Sequence, residues 1–328
     1  MAVLRKLLGG MICLYENGFS YTWYHGWEKI GRRILQYGRE SLPYREVRRR
    51  VQRLVCADEG KGFFNSPQTG KNGVVALFAL YCPSGEVPEY VFSYIRELRK
   101  IAGRILVCAD SAVDEPSFER MKSCVDGGVF GRHGEYDFGS YRRAYALAES
   151  HGILDRSHML ILANDSCLCP LAPLGNMFAD MAKRDCDFWG QTSYSFHGRK
   201  HVQSYFLVFN ERLVGSGDVW RFLSKVGGAQ ARSEVISSYE IGLTEFLVSR
   251  GYRWQSYVPY RAVLKNPTCS PCMLIRRFAC PLVKIKALVG ESFENLAKVH
   301  RVVSESNEKA YREFEAVAGE WEQIPEDE

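Results

Sequence analysis

Hydrophobic positions follow two repeating patterns from residue 74 onward, and together they predict alternating strands and helices. Continuous apolar runs at 74–81, 104–109 and 159–163 are typical of strands buried on both faces. The intervening segments 88–101 and 138–150 carry apolar residues at intervals of three or four, the spacing of helices with one buried face. This alternation indicates an α/β fold with a mostly parallel central sheet flanked by helices.

Three regions follow from the same pattern. Residues 1–70 form a basic, aromatic, helical N-terminal segment, residues 71–262 hold the α/β domain, and residues 263–328 form a helical C-terminal extension with an acidic tail. A single last helix is predicted from 292 to 316. Gly and Pro residues within 58–72 predict a linker between the first two regions.

Charge is unevenly distributed, although the whole chain carries only +5. Residues 1–54 hold 11 basic and 4 acidic residues, whereas 313–328 hold seven acidic residues and no basic one. The mild net charge gives no reason to expect a nucleic-acid partner. The basic helices predicted at 27–37 and 44–55 could make a peripheral contact with an anionic membrane, or pack on the domain with a solvated basic side.

Length and cysteine content exclude several other classes of protein. A chain of 328 residues with 46% hydrophobic content is neither disordered nor a small disulfide scaffold. Its 11 cysteines do not have the regular spacing of a disulfide-stabilised scaffold. No secretory signal and no apolar run of about 20 residues is evident in the sequence. These observations favour a reduced, cytoplasmic protein. The pairs Cys167/Cys169 and Cys269/Cys272 lack partner ligands at zinc spacing, so a zinc site is disfavoured.

Polar residues follow three of the predicted strands. Tyr81, Asp110 and Asp165 come directly after them, and ligands of parallel sheets bind beyond the carboxyl ends of the strands. Asp165 lies between Asn164 and Ser166, where its carboxylate could hold a divalent cation or a sugar hydroxyl. The alternative is that Asp165 only caps a helix.

Glu240 is a second candidate acid. It opens an amphipathic segment at 243–250, and a carboxylate at a helix start is stabilised in its ionised form. Such a group could remove the proton of a sugar hydroxyl as a general base, or it could serve only as a capping acid.

A polar stretch precedes the strand predicted at 206–209. Alternation places His201, Gln203 and Tyr205 on one face, where they would either bind sugar hydroxyls or face solvent. Glycine-rich dinucleotide and phosphate loops and the Gly-x-Ser-x-Gly elbow are missing, which disfavours oxidoreductases, ATPases and serine hydrolases. The seven scattered His residues disfavour a metal-dependent hydrolase.

Six short motifs occur in one order along the chain. They are Tyr136-Asp137-Phe138-Gly139-Ser140-Tyr141, Leu162-Ala163-Asn164-Asp165-Ser166 with Pro170, Asp187-Phe188-Trp189-Gly190-Gln191-Thr192, His201-Val202-Gln203-Ser204-Tyr205-Phe206, Tyr239-Glu240-Ile241-Gly242-Leu243-Thr244, and Asn266-Pro267-Thr268 with Pro281-Leu282-Val283-Lys284. Together they resemble the rhamnan synthesis protein F family of glycosyltransferases over about residues 74–288.

The resemblance implies an A-type glycosyltransferase fold, a nucleotide-sugar donor such as dTDP-rhamnose, and a growing surface polysaccharide, O-antigen or lipid-linked glycan as acceptor. It implies that Asp165 binds the donor diphosphate, through Mg²⁺ or Mn²⁺ where a metal takes part, and that Glu240 is the base of an inverting transfer. Work on a lipid-linked acceptor would place the protein at the inner face of the cytoplasmic membrane.

The strand ends, the polar stretch before residue 206 and the family motifs together give further expected contacts. The expected donor-binding residues are Tyr81, Asp110, Asn164, Ser166, Trp189 and Gly190, and the expected sugar or acceptor contacts are His201, Gln203 and Tyr239. A different class of function stays open at this point, namely a non-catalytic scaffold of a polysaccharide assembly complex that shares the fold.

Overall fold

A computed structural model describes residues 61–65, 73–154, 158–227, 232–260 and 266–322. All of them belong to the unit that spans Cys56–Glu328. The helices predicted at 27–37 and 44–55, the membrane contact assigned to them and the last acidic residues of the tail lie outside the described residues.

The described residues form twelve strands, which are β1 Lys61–Phe64, β2 Val74–Leu80, β3 Arg104–Ala109, β4 Gly127–Phe130, β5 Met159–Asn164, β6 Cys167–Leu168, β7 Phe188–Gly190, β8 Ser193–Phe196, β9 Arg199–Val202, β10 Phe206–Phe209, β11 Trp254–Ser256 and β12 Val283–Lys284. Eight of them form the central sheet in the order β1-β4-β3-β2-β5-β10-β7-β11. Only β1 and β10 run against the other strands of this sheet, so the predicted mostly parallel sheet is confirmed. The pairs β6/β12 and β8/β9 form two small antiparallel ladders.

Helices cover both faces of the sheet. They are α1 Glu89–Arg99, α2 Glu115–Cys124, α3 Tyr136–Ser150, α4 Leu174–Met181, α5 Glu211–Gly215, α6 Asp218–Leu223, α7 Arg232–Val235, α8 Gly242–Ser249, α9 Pro271–Phe278, α10 Lys286–Val289, α11 Leu296–Ser306, α12 Glu308–Glu315 and α13 Ala318–Glu322, with a π-helical segment Ile236–Ile241 and a 3₁₀ turn Pro267–Cys269. None of these described helices is long and apolar enough to cross a membrane.

Strand β2 shows why the core has two halves. Ala76 and Phe78 pack into one cluster with α1, α2, α4 and the C-terminal helices, whereas Val75 and Leu77 pack into another with α3 and α8. Successive side chains of a strand point to opposite faces, so the continuous apolar run supplies both clusters. The C-terminal helices thus share a core with the sheet, and Phe314 is completely enclosed in it.

The prediction of a linker over 58–72 is wrong for its described part. Residues 61–64 form β1, which pairs antiparallel with β4 at the edge of the sheet. Phe63 packs edge-on against Phe118, with ring centroids 5.6 Å apart, and lies stacked on Phe130 at 6.1 Å. Packing of two successive, half-buried aromatic residues outweighs the local preference of the glycines for a loop.

The single last helix predicted at 292–316 is also wrong, because two helices meet at Asn307. This residue has an extended backbone, with φ of −156°, and its side chain accepts a 3.1 Å hydrogen bond from the backbone N–H of Ala310. An asparagine that caps a new helix ends the previous one.

Candidate active site

The carboxyl ends of β2, β3 and β5 meet at one edge of the sheet. The backbone N–H of Asp110 donates to Leu80 O at 2.8 Å, and the backbone N–H of Tyr81 donates to Asp165 Oδ2 at 2.8 Å. The structure therefore brings Tyr81, Asp110 and Asp165 together, as the positions of the predicted strands required. Tyr81 keeps 40% of its surface exposed, whereas both acids are buried.

Asp110 binds the loop that leads into α3. Its Oδ1 accepts hydrogen bonds from the backbone N–H groups of His133 at 2.6 Å and Gly134 at 2.7 Å. The carboxylate thereby holds the start of the helix that carries Asp137. The expected contact of Asp110 with the donor stays a prediction.

A directed chain of hydrogen bonds runs through the Asn164-Asp165-Ser166 turn. Lys284 Nζ donates to Ser166 Oγ at 2.6 Å, and this hydroxyl donates to Asn164 Oδ1 at 2.5 Å. The Asn164 amide then donates to Asp137 Oδ2 at 2.6 Å. Because each hydroxyl or amide in the chain both accepts and donates, the orientations of these side chains are mutually fixed.

Lys284 reaches this turn through the small ladder of β6 and β12. Lys284 pairs with Cys167 in that ladder, and the backbone N–H of Ile285 donates to Ser166 O at 3.0 Å. Leu168 and Val283 in the same ladder are buried, so packing holds the lysine over the turn.

Glu240 lies within the π-helical segment Ile236–Ile241, between α7 and α8, and not at a helix start. The expectation of a helix-opening acid is wrong, because helical backbone already begins at Arg232. The dipole of an N-terminus therefore does not account for its charge. Instead, Ser204 Oγ donates to Glu240 Oε2 at 2.6 Å, and His201 Nε2 lies 3.2 Å from Oε1.

The surroundings of the two candidate acids shift their pKa values in opposite directions. Burial tends to raise the pKa of Glu240, but hydrogen bonds from His201 and Ser204 outweigh it and lower that pKa. Burial raises the pKa of Asp165 to about 8, and the Asp137 carboxyl adds to the rise. Burial likewise raises the pKa of Asp137. Near neutral pH, Glu240 is thus ionised while Asp165 is largely protonated.

Asp165 and Glu240 share the same charged neighbours. Lys284 acts electrostatically on both of them, favouring the ionised form of each. Asp137 likewise interacts with both acids. The two acids, separated by 75 positions in sequence, therefore belong to one polar cluster, which also contains Asp137 and Lys284.

Several expected site residues serve packing in the structure. Trp189 is 7% exposed and packs edge-on against Phe178 at 5.0 Å, and a Cβ on Gly190 would lie 2.5 Å from Val202 Cγ1. The Tyr239 hydroxyl bonds to the backbone of Gly227. The donor and sugar contacts expected of Trp189, Gly190 and Tyr239 stay predictions.

The prediction that His201, Gln203 and Tyr205 share one strand face is wrong, because β9 ends at Val202 and a turn separates it from β10. His201 contacts Glu240, whereas Gln203 accepts a 2.9 Å hydrogen bond from Thr192 Oγ1. The buried Tyr205 hydroxyl lies 2.6 Å from the same Thr192 oxygen.

Residues 105–312 match the family described as rhamnan synthesis protein F, and this stretch is more than half of the chain. The chain belongs to this family. The resemblance seen in six motifs is thereby confirmed, and with it membership of a glycosyltransferase-like group.

A curated relative of this rhamnan synthesis protein F family member is the uncharacterized protein y4gN of Sinorhizobium fredii. The two are 23% identical over 194 residues, which cover 58% of this chain and 50% of y4gN. The chain therefore spans about half the length of the curated relative that it matches.

Three solved structures are similar to parts of this chain. They are a 4-diphosphocytidyl-2C-methyl-D-erythritol synthase (14% identity, 64% of this chain, 100% of that chain, TM-score 0.38), the mannosyltransferase Ktr4p of S. cerevisiae in complex with GDP (10%, 64%, 78%, 0.29) and S. aureus TarS 1-349 (10%, 76%, 75%, 0.34). These TM-scores are low, and the strand order and strand directions of this chain define its fold.

Asp137 and Lys284 are the site residues that sequence reasoning missed. Both stand inside the family motifs, but no role followed from their spacing. A signal was present for each: Asp137 stands at the start of a helix next to the sheet edge, and Lys284 is the only charged residue in an apolar stretch, Cys280–Ile285.

The donor atoms of the cluster fit a divalent cation poorly. One oxygen of Asp165 and one of Asp137 already accept hydrogen bonds from Tyr81 and Asn164, and Lys284 brings a positive charge to the same place. In the part of the chain that the structure describes, no group of three or more His, Cys, Asp or Glu side chains is arranged to hold a metal. The Mg²⁺ or Mn²⁺ site expected at Asp165 stays a prediction.

Proposed function

We propose that this protein is an inverting glycosyltransferase that moves a sugar from a nucleotide-sugar donor to a glycan acceptor. The observation that supports the proposal is the single cluster at the carboxyl edge of the sheet, in which an ionised Glu240 accompanies a largely protonated Asp165. Two carboxyl groups whose pKa values are driven apart can serve as base and as hydrogen-bond donor at one pH.

In the proposed reaction, an acceptor hydroxyl attacks the anomeric carbon of the donor. A bond forms between that carbon and the acceptor oxygen, while the bond to the β-phosphate oxygen breaks and its electron pair leaves with the nucleoside diphosphate. Glu240 Oε1 or Oε2 takes the hydroxyl proton, and attack opposite the leaving group inverts the anomeric configuration. Asp165, protonated below about pH 8, donates a hydrogen bond to the donor.

We propose dTDP-rhamnose as the donor, because the family is described by rhamnan synthesis. The proposed acceptor is a growing cell-surface polysaccharide, such as an O-antigen on its lipid carrier. Such an acceptor would place the protein peripherally at the cytoplasmic face of the membrane. The exposed Tyr81 ring at the end of β2 is available to stack on the donor base.

The test incubates the purified full chain with dTDP-rhamnose, UDP-glucose and GDP-mannose and measures release of each nucleoside diphosphate. We expect turnover of one donor, and we expect Glu240→Gln to lower kcat by about 10²–10⁴-fold with little change in donor affinity. Glu245→Gln is the matched control, since Glu245 is an exposed acid five positions away that pairs with Arg199.

Two results would contradict the proposal. If no donor and no nucleoside diphosphate binds at millimolar concentration, the scaffold alternative is correct. If Glu240→Gln and Glu245→Gln are equally active, Glu240 is not the base, and the proposed mechanism is wrong even when transfer occurs.

A further inference from the structure

Lys284 carries the positive charge closest to the Asn164-Asp165-Ser166 turn in the described cluster. Its ammonium group donates to the Ser166 hydroxyl at 2.6 Å, and that hydroxyl is its one hydrogen-bond partner among the described residues. An ammonium group has three N–H donors, so two of them are available to a ligand. Tyr205 lies beneath it, with the ring centroid 5.1 Å from Nζ.

The surroundings of Lys284 keep its charge uncompensated at short range. No carboxylate of the described residues lies within ion-pair distance of Nζ, although Asp137, Asp165 and Glu240 all act on it from further away. The Ser166 hydroxyl is neutral, so among the described residues no counter-charge lies within hydrogen-bond distance of the Lys284 ammonium group. A cation held this way attracts an anion strongly in a partly desolvated site.

We propose that Lys284 binds the diphosphate of the donor and takes the place that a divalent metal would fill. This inference rests on the proposed glycosyl transfer. In it, the lysine neutralises the charge that develops on the leaving nucleoside diphosphate, and Ser166 and Asn164 fix the direction of its ammonium group. Donor binding then needs no added metal ion. This agrees with the poor fit of the Asp165 and Asp137 oxygens to a divalent cation.

The proposal makes Lys284 a residue of the donor site that lies outside the α/β domain bounds predicted at 71–262. The antiparallel pairing of β12 with β6 returns the C-terminal region to the catalytic edge of the sheet. The C-terminal extension therefore completes the donor site in addition to contributing to the core.

The first experiment is a calorimetric titration of the wild-type full chain with dTDP, UDP and GDP, in EDTA and then in excess Mg²⁺ or Mn²⁺. We expect one nucleotide to bind in EDTA, with a Kd that added metal changes by less than about threefold. A gain of about tenfold or more on adding metal would overturn the role of Lys284 as the resident cation, and the proposed transfer would still stand.

The second experiment repeats the titration in EDTA with Lys284→Met, Lys284→Arg and the control Lys183→Met. Lys183 is 74% exposed and pairs only with Asp180 in the described structure, so its loss should leave Kd unchanged. We expect Lys284→Met to raise Kd about tenfold or more and Lys284→Arg to retain most of the affinity. Thermal unfolding of each variant verifies that the fold is intact.

The outcomes separate the two proposals. Unchanged affinity of a folded Lys284→Met variant overturns the inference alone. If Lys284→Met does not fold, the metal titration of the wild type still decides the inference. Failure of every nucleoside diphosphate to bind the wild type, with or without metal, overturns both the inference and the proposed function.

Discussion

The hydroxyl of Ser204 donates a 2.6 Å hydrogen bond to Glu240 Oε2, across 36 positions of sequence. The bond joins the turn after β9 to the π-helical segment, and it favours the ionised form of the carboxyl group. His201 Nε2 contacts the other carboxylate oxygen at 3.2 Å, so both oxygens of Glu240 are oriented by the protein. A general base is effective only when its lone pair is held toward the proton it removes.

Replacing Ser204 by Ala should therefore raise the pKa of Glu240. A base is active when deprotonated, so the acidic limb of the profile of kcat/KM against pH should move to higher pH, by about one unit. Ser237→Ala is the control, because the Ser237 hydroxyl accepts a hydrogen bond from Arg199 and, among the described residues, makes none to Glu240. An acidic limb at the same pH in wild type and Ser204→Ala would show that Glu240 does not set the profile.

Asp165 should destabilise the folded protein as the pH rises. Its folded pKa of about 8 lies above the ordinary value of 3.8, so between these values the folded state binds a proton that the unfolded state has lost. This one group should then lower the free energy of unfolding by about 1.4 kcal/mol per pH unit from roughly pH 5 to 7. Asp165→Asn should remove that slope, as measured by urea unfolding at several pH values. An identical slope of the free energy of unfolding against pH in wild type and Asp165→Asn would contradict the raised pKa of Asp165.

Asp126 should have the opposite dependence on pH. Its carboxylate accepts from Arg99 at 2.7 Å, Arg104 at 3.1 Å and the backbone N–H of Ile105 at 2.8 Å, and although burial opposes ionisation, these partners lower its pKa. The stabilisation is present above the unfolded pKa and is lost as the pH falls through the lower folded pKa. Asp126→Asn should cost about 3 kcal/mol at pH 7 and clearly less near pH 3.

The control for Asp126 is Asp180→Asn. The Asp180 side chain is 51% exposed and pairs with Lys183 at 3.0 Å on the surface, so its loss should change the free energy of unfolding by about 0.5 kcal/mol or less. Equal effects of the two substitutions would mean that the buried ion pair of Asp126 does not contribute as described.

Gly190 should be required for packing, whatever its part in donor binding. A Cβ at this position would lie 2.5 Å from Val202 Cγ1 and 2.6 Å from Phe206 O, so Gly190→Ala should destabilise the protein by about 1–3 kcal/mol. Gly175→Ala in α4 is the control, since its Cβ would meet only Ile101 Cδ1 at 3.9 Å and alanine favours helix. The measurement is the thermal unfolding midpoint of each variant. Equal midpoints for Gly190→Ala and Gly175→Ala would contradict the packing role of Gly190.

The regular elements were predictable wherever one side-chain pattern dominated. The strand at 206–209 and the strand at 104–109 have the predicted bounds, because each is an apolar run enclosed on both faces. The predictions failed where the contacts of one or two side chains reversed the local tendency. Asn307 ended a helix by capping the next one, and Phe63 converted a glycine-containing stretch into an edge strand.

The site was predictable only where parallel strands end together. Tyr81, Asp110 and Asp165 follow three neighbouring strands, so their proximity follows from the fold class alone. Glu240 was chosen as a candidate acid because a helix start was expected there, and that expectation is wrong. The hydrogen bonds that lower its pKa come from His201 and Ser204, which lie far from it in sequence.

The sequence by itself determined the α/β class, the family and the strand ends at which acids gather, since these depend on local periodicity and on residues that are adjacent in the chain. Only the tertiary structure decided that Lys284 meets Ser166, 118 positions away, and that Asp165 is largely protonated while Glu240 is ionised. The physical reason is that hydrogen-bond partners and desolvation arise from contacts between distant segments, and neither spacing nor composition encodes those contacts.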